Sequence, residues 1–306
     1  MQSHNQTFVP ADVPEKKHDT FIKNYNAITR HTNRLFLFSC DHKIEHLNRD
    51  FYGETIHPQA LHPEHLFRIA SQGNVGAMAT HLGLLARYAK QYPDVNYIAK
   101  LNGTTNLVSC EQQDPKSALL WTVDDVIDFK NNNKATIAGV GVTVYLGSEY
   151  EAEHLSQAAH VIARAHEEGL VVIVWMYPRG KAICQEDNPH LIAGAAGVAL
   201  SLGADFVKIK VPANNEISSA QSLKIAAATA GNTKIICSGG KITDSIEFIT
   251  QLYEQIHVGD TAGIAVGRNI FQRSLAESIA LTQAIAAIIY ENVELKAGVA
   301  LINEER

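Results

Sequence analysis

Two lysines stand two residues apart in the apolar stretch Ala204-Asp205-Phe206-Val207-Lys208-Ile209-Lys210. An ammonium group is expensive to bury without a partner, so lysines inside such a strand are either paired or chemically employed. Strand alternation sets Phe206, Lys208 and Lys210 on one face. If that face lines a closed interior, both amines point into a shared site. A desolvated lysine there loses its proton and attacks a carbonyl. An ordinary lysine, with a pKa of about 10.4, is neutral in about 0.04% of molecules at pH 7, and lowering that value to near 7 costs the protonated form about 4–5 kcal/mol. Burial and a second cation, Lys210 or Lys100, push in that direction, and a carboxylate such as Asp41 pushes back. From the residues alone Lys208 reads as a nucleophile or as one half of a structural ion pair, and Lys210 as a second amine or a residue lining the mouth.

Such a site needs a frame. Short apolar runs recur near Leu35–Ser39, Val75–Ala79, Tyr97–Leu101, Ala138–Val144, Val171–Trp175, Asp205–Ile209, Lys234–Cys237 and Ala262–Val266. Most are continuous in Val, Ile, Leu and Ala, as strands buried on both faces require. Helical segments alternate with them: His154–Glu168 ends at Gly169, Pro189–Leu202 ends at Gly203, and Ser218–Ala230 and Ser245–Tyr253 follow. Repeated strand–helix alternation argues for an α/β fold of the (β/α)8 barrel type, a TIM barrel. The competing open doubly wound sheet lacks a Gly-x-Gly-x-x-Gly turn. Residues 1–30 read as an N-terminal extension and 31–306 as a single barrel domain. Asn102–Val123 reads as a long loop with a hairpin or short helix.

Barrel sites lie at the C-terminal ends of the strands. Here those ends carry Asp41-His42, Thr80-His81, Lys100 with Asn102, Tyr145 to Glu149, Trp175-Met176-Tyr177-Pro178-Arg179-Gly180, Lys208 with Lys210, Ser238-Gly239-Gly240-Lys241, and Gly267-Arg268-Asn269. The last two predict a phosphate site, with backbone N–H groups bared side by side and Arg268 adding a charged fork. Either glycine motif alone is equally plain turn chemistry. Trp175 and Tyr177 face the same way if their strand continues that far. Tyr177 reads as an acid–base phenol or a satisfied aromatic, Trp175 as a wall, and Arg179 as reaching a substrate phosphate or solvent.

These motifs resemble those of the archaeal-type class I fructose-bisphosphate aldolases, in the superfamily that includes deoxyribose-phosphate aldolase. Asp41-His42 with Glu45-His46, Lys100-Leu101-Asn102-Gly103, Tyr145 to Glu149, Trp175 to Gly180, Gly203 to Lys210, Ser238-Gly239-Gly240 and Gly267-Arg268-Asn269 occur in the family's order, roughly from Leu35 to Arg273. The resemblance implies that Lys208 forms a Schiff base, that Tyr177 transfers protons and that Asp41 is a polar partner near the lysine and the substrate hydroxyls. It further implies that Trp175 walls the pocket and that Gly239, Gly240, Gly267 and Arg268 hold a phosphate. The implied reaction is reversible cleavage of a phosphorylated ketose, fructose 1,6-bisphosphate foremost, with no cofactor beyond the lysine and no metal. The resemblance also implies a large homo-oligomer. Three departures stand out: Lys43 where the family has glycine, Leu47-Asn48 where it has a glycine, and Val211-Pro212-Ala213 after Lys210. They bear on the second phosphate contact and the sugar, and leave the Schiff-base core intact. Two other readings share the site: a related Schiff-base enzyme of aromatic precursor synthesis that transfers a three-carbon unit, and a non-catalytic phosphosugar-binding barrel.

The remaining signals narrow the field. The 306 residues are 46% hydrophobic and 19% charged, with a net charge of -6 that gives no footprint for nucleic acid. No apolar run approaches the roughly 20 residues of a membrane helix. The polar start lacks a signal-peptide layout. Cys40, Cys110, Cys184 and Cys237 are scattered and read as reduced thiols, so a cytoplasmic location is expected. His42-Lys43-Ile44-Glu45-His46 matches a His-x-x-Glu-His zinc pattern, but it directly follows a strand and lacks an evident third ligand. His154, His160 and His166, six residues apart, read as surface histidines.

Overall fold

The structure, a computed structural model, describes residues 7–45, 48–105, 107, 113–213 and 217–303. Eight strands form a closed barrel: β1 (Leu35–Ser39), β2 (Ala77–His81), β3 (Tyr97–Lys100), β4 (Ile137–Leu146), β5 (Val171–Pro178), β6 (Phe206–Ile209), β7 (Lys234–Ser238) and β8 (Gly263–Val266). Each pairs in parallel with its neighbours in chain order, and β1 closes on β8 through Leu35 opposite Gly263. This is the expected (β/α)8 architecture.

Alternation sorts the side chains into two cores. Phe36, Phe38, Val172, Val174, Val207 and Ile209 face outward and pack beneath the helices. Leu35, Leu37, Ile98, Ile173, Trp175 and Phe206 fill the barrel interior. Aliphatic and aromatic side chains fill the lower interior, and the polar residues follow them towards the C-terminal ends of the same strands.

Most strand bounds shift by a residue or more from expectation, and three of the shifts bear on the site or the floor. β2 starts two residues late, at Ala77, because Gly76 sits in a tight turn where a Cβ would lie 2.1 Å from Tyr290 Oη. This shift brings Thr80 and His81 into the strand. β5 runs on to Pro178, so Tyr177 is carried by the ladder, opposite Tyr145. β6 begins after Asp205, whose carboxylate turns back to accept the Val172 N–H at 2.7 Å. The Asn102–Val123 region contains the expected hairpin, Asn102–Gly103 against Ala118–Leu119; Cys110 lies outside the described residues.

The N-terminal extension contributes to the core. Its helix, His18–Thr29, delivers Phe21, Tyr25 and Ile28 to the interior cluster, with Tyr25 stacked on Phe206 at 5.5 Å. The helix thereby closes the N-terminal end of the barrel.

The reading of three surface histidines holds only for His160. His154 is buried, and its Nε2 accepts the Ser117 N–H at 3.1 Å. His166 is also buried, with Nδ1 2.8 Å from Asp12 of the extension and Nε2 3.2 Å from Asp205. The helix Glu151–Glu167 is pressed between barrel and extension, so inward and outward positions do not follow a two-sided pattern. Burial alone would depress the His166 imidazole; Asp205, then Asp12, outweigh it and raise it to about 9. An imidazolium held between two carboxylates latches the extension to the floor.

A group whose folded pKa lies above its ordinary 6.5 adds stability that is complete below about pH 6.5 and lost as the pH rises through about 9. Thermal unfolding followed across this window should show a fall in Tm that His166→Ala largely removes. The same substitution should cost on the order of 3 kcal/mol at pH 6, because it strands the buried Asp205.

Candidate active site

β6 sets Lys208 inward, two residues above Phe206, and the strand register places it opposite Trp175 of β5. Lys208 is 5% exposed. Its Nζ donates to Ser39 Oγ at 2.9 Å, and Ser39 Oγ in turn donates to Asp41 Oδ1 at 3.0 Å. Asp41 follows the end of β1 and is buried. Burial favours its neutral acid, but Lys208 foremost, then His42, Lys100 and His81, hold the carboxyl well below the usual carboxylate range. Asp41 is therefore an anion held beside two buried lysines.

Trp175 packs against two amines. Lys208 and Lys100 each lie 5.3 Å from the centre of its indole. Gly141 of β4 makes room for the ring, since a Cβ there would stand 2.4 Å from it. Lys100 is fully buried, and its Nζ donates to the carbonyl and side-chain oxygens of Asn102 at 3.0 and 3.1 Å. Asn102 is fastened to Thr143 of β4 through both ends of its amide. Lys100 is thus anchored on Asn102 and is not among the residues that line the cavity.

A cavity of about 590 Å³ opens above these groups. Its lining includes Asp41, Trp175, Tyr177, Arg179, Lys208, Lys210, Ser238, Gly239, Gly240, Gly267 and Arg268, so every candidate except Lys100 borders one space. Its size and mixed polarity suit a small polar ligand.

On one side of the mouth, Arg179 grips Glu186 with two hydrogen bonds, at 2.7 and 3.0 Å, and Lys210 pairs with the same carboxylate. Burial would raise Glu186; Arg179 and then Lys210 hold it below its ordinary range. The Arg179 guanidinium also lies close to both the Tyr145 and Tyr177 rings, at 5.7 and 5.8 Å. Lys210 is therefore a partner of Glu186 at the rim, not a second amine beside Lys208. The turn is tight: a Cβ on Gly180 would lie 2.3 Å from the Gly147 carbonyl oxygen. Sequence reasoning misses Glu186 because it sits in the loop seven residues after Arg179, where nothing marks it as a partner.

On the other side, the glycine turns differ from the expectation in one respect. The Gly239 N–H is not bare, since it donates to the Ala265 carbonyl at 3.0 Å. Val266 crowds this position, and a Cβ on Gly239 would lie 2.7 Å from its side chain. Gly240 has φ +68° and open space above it, so it presents backbone to the cavity. At Gly267 a Cβ would lie 2.5 Å from both the Ser39 carbonyl oxygen and His42 Cε1. Arg268 Nη1 lies 3.8 Å from Asp50, and its Nε is buried with no hydrogen-bond partner among the described residues. Asn269, named in the sequence only as part of the Gly267-Arg268-Asn269 motif, ties both turns together. It donates to the Gly239 and Lys241 carbonyls at 2.8 Å and accepts from the Thr243 N–H at 2.9 Å.

Of the departures, Val211 borders the cavity beside Lys210, and Lys43 is not in its lining. Lys43 sits 3.8 Å over the Phe51 ring, which stacks on Phe271. Ala213 donates its N–H to the Asp187 carbonyl, joining the segment after Lys210 to the loop after β5. Leu47, and His46 of the His-x-x-Glu-His pattern, lie outside the described residues. Among the described residues no cluster of three or more His, Cys, Asp or Glu side chains has a geometry for metal. No helix there is long and apolar enough to cross a membrane.

Comparison with known proteins agrees with this site. Residues 35–273 match the DeoC/LacD family of aldolases. The fructose-bisphosphate aldolase/6-deoxy-5-ketofructose 1-phosphate synthase of Methanocaldococcus jannaschii is 46% identical over 298 residues, covering 97% of this chain and 95% of that protein. The solved structure of a fructose-bisphosphate aldolase from Slackia heliotrinireducens superposes with a TM-score of 0.96 at 49% identity, covering 99% and 96% of the two chains. An archaeal fructose-1,6-bisphosphate aldolase, 27% identical with a TM-score of 0.75 and 88% and 99% coverage, was solved with its catalytic lysine bound to the carbinolamine intermediate of the substrate. A buried inward lysine in a closed barrel, a family match over most of the chain and a relative alike along nearly its whole length agree: the chain belongs to the DeoC/LacD family of aldolases.

Proposed function

We propose that this protein is a class I, Schiff-base aldolase that reversibly cleaves fructose 1,6-bisphosphate to dihydroxyacetone phosphate and glyceraldehyde 3-phosphate. The observation that carries the reading is Lys208 Nζ, buried at the base of the cavity and hydrogen-bonded into the line of Ser39 and Asp41. The names of the relatives from Methanocaldococcus and Slackia support the sugar.

The chemistry follows from the groups present. Lys208, once neutral, adds to the ketone carbon and loses water to form an iminium. The iminium draws the electron pair of the C3–C4 bond as it breaks, so the lysine itself is the electron sink and no added cofactor enters the scheme. A base must take the proton of the C4 hydroxyl. Tyr177, on the same face of β5 as Trp175, and Asp41 both border the cavity and are the candidates. Tyr177 then protonates the enamine, and hydrolysis frees the amine. Gly240, Gly267 and Arg268 take one phosphate, with the Arg268 guanidinium as the charged contact. Arg179 and Lys210 form the cationic rim opposite and take the second.

The name of the Methanocaldococcus relative favours a second activity at the same lysine. Cutting 6-deoxy-5-ketofructose 1-phosphate between C3 and C4 gives the same three-carbon phosphate and a three-carbon ketoaldehyde. An enamine held on Lys208 would pass its three-carbon unit to either aldehyde.

Borohydride reduction with dihydroxyacetone phosphate should attach one adduct, located by peptide mass on Lys208. Its absence, or its presence on another lysine, refutes the assignment, and Lys208→Met should abolish both adduct and turnover. A phosphosugar-binding barrel without chemistry would instead bind ligand with no turnover in the parent. Tyr177→Phe should keep the adduct while lowering cleavage about 100-fold or more. Arg268→Ala should raise KM for fructose 1,6-bisphosphate about tenfold or more with a smaller effect on kcat, since it removes a charge-assisted contact to the phosphate. Equal losses in kcat and kcat/KM would place Arg268 elsewhere.

A further inference from the structure

Ser39 is the last residue of β1 and is fully buried. Alternation turns it inward above Leu35 and Leu37, across the interior from Lys208, with Asp41 two residues further on. A serine hydroxyl carries one proton to give and two lone pairs. Here a lone pair receives Lys208 Nζ at 2.9 Å and the proton points to Asp41 Oδ1 at 3.0 Å. Amine, hydroxyl and carboxylate form an unbroken line, and each distance is that of a hydrogen bond along which a proton can hop. Gly267 keeps the line in place, because any side chain there would strike the Ser39 carbonyl.

We propose that Ser39 is the proton relay that discharges Lys208 into Asp41 during Schiff-base formation. The inference rests on the aldolase reading above and deepens it.

The step balances. Lys208 starts as the ammonium and Asp41 as the carboxylate. One proton passes from Nζ to Ser39 Oγ while Ser39 hands its own to Asp41 Oδ1, leaving an amine, an intact hydroxyl and a carboxylic acid. The amine forms a C–N bond to the ketone carbon, and the carbonyl π pair moves to oxygen. That oxygen takes the proton stored on Asp41, then a second from nitrogen, and leaves as water when the iminium forms. Lysine nitrogen carries one positive charge before and after, and Asp41 returns to carboxylate. The groups that hold Asp41 ionised at rest also make it a weak base, so the transfer runs uphill and the loaded acid is strong and short-lived. It therefore gives that proton up promptly to the developing alkoxide.

The test uses the full chain. Rapid-quench borohydride trapping with dihydroxyacetone phosphate measures the rate at which the Lys208 adduct appears. Ser39→Ala should slow that rate about 100-fold, leave KM little changed, and move the rising limb of the pH–rate profile to higher pH, because Lys208 must then lose its proton to solvent. Trapping by the parent in mixtures of H2O and D2O should give a curved dependence on deuterium fraction, as two protons move together. This second measurement does not depend on the variant folding. An Ala variant that traps at the parental rate with an unshifted pH profile, or a linear deuterium dependence in the parent, overturns the relay while leaving the aldolase reading standing. A parent that forms no Lys208 adduct overturns both.

Discussion

The contact between Lys208 Nζ and Ser39 Oγ is the constraint around which the upper half of the barrel is arranged. An amine this deep survives only where hydrogen bonds and opposite charge replace the water it has lost. Ser39 supplies the hydrogen bond and Asp41 the charge, while the Trp175 indole lies 5.3 Å from both buried lysines. Ser39 and Asp41 come from the end of β1, Trp175 from β5 and Lys208 from β6, and they meet only because the sheet closes on itself. An open sheet would place β1 and β6 far apart.

The groups around the amine are themselves held by a second layer. Asn102 anchors Lys100 and is pinned to β4. Glu186 gathers Arg179 and Lys210. Asn269 binds the turn after β7, and Arg273 fixes both it and that turn, donating to the Asn269 and Thr243 carbonyls at 2.8 Å. These residues limit how far the reacting groups can drift, and preorganisation of this kind is what lets polar groups act without rearranging during a reaction. The glycines serve the same end by removal: Gly141, Gly180 and Gly267 mark the points where a ring or a neighbouring backbone comes too close for a side chain.

The opposite end of the barrel is built for cohesion. There Phe21 and Tyr25 of the extension seal the interior, and His166 bridges Asp12 and Asp205. One strand serves both ends: Asp205, just before β6, belongs to the latch, and Lys208, three residues later, belongs to the cavity. Division of labour between the two faces is usual for barrels of this type, and here a single short strand spans it.

Much of this was legible in the amino-acid order because it depends on short-range physics. Apolar runs separated by helical periods specify parallel strands and their helices, and alternation alone puts Phe206 and Lys208 on one face and Trp175 with Tyr177 on another strand's inner face. The motifs Tyr177-Pro178-Arg179-Gly180 and Lys208-Ile209-Lys210 carried the family resemblance. What the order of residues could not decide is which distant groups meet. Nothing near Ser39 in the chain says that it touches a lysine 169 positions away, nor does the spacing of His166 reveal two carboxylates from the N-terminus and from the start of β6. Lys100 and Lys210 look alike as residues, yet closure buries one against Trp175 and Asn102 and leaves the other at the rim with Glu186. Local sequence determined the strands, the helices and the inward lysine. Its partners, and hence the direction in which its proton can leave, were decided only when the barrel closed, because hydrogen bonds and charge pairing act over a few ångströms of space regardless of separation along the chain.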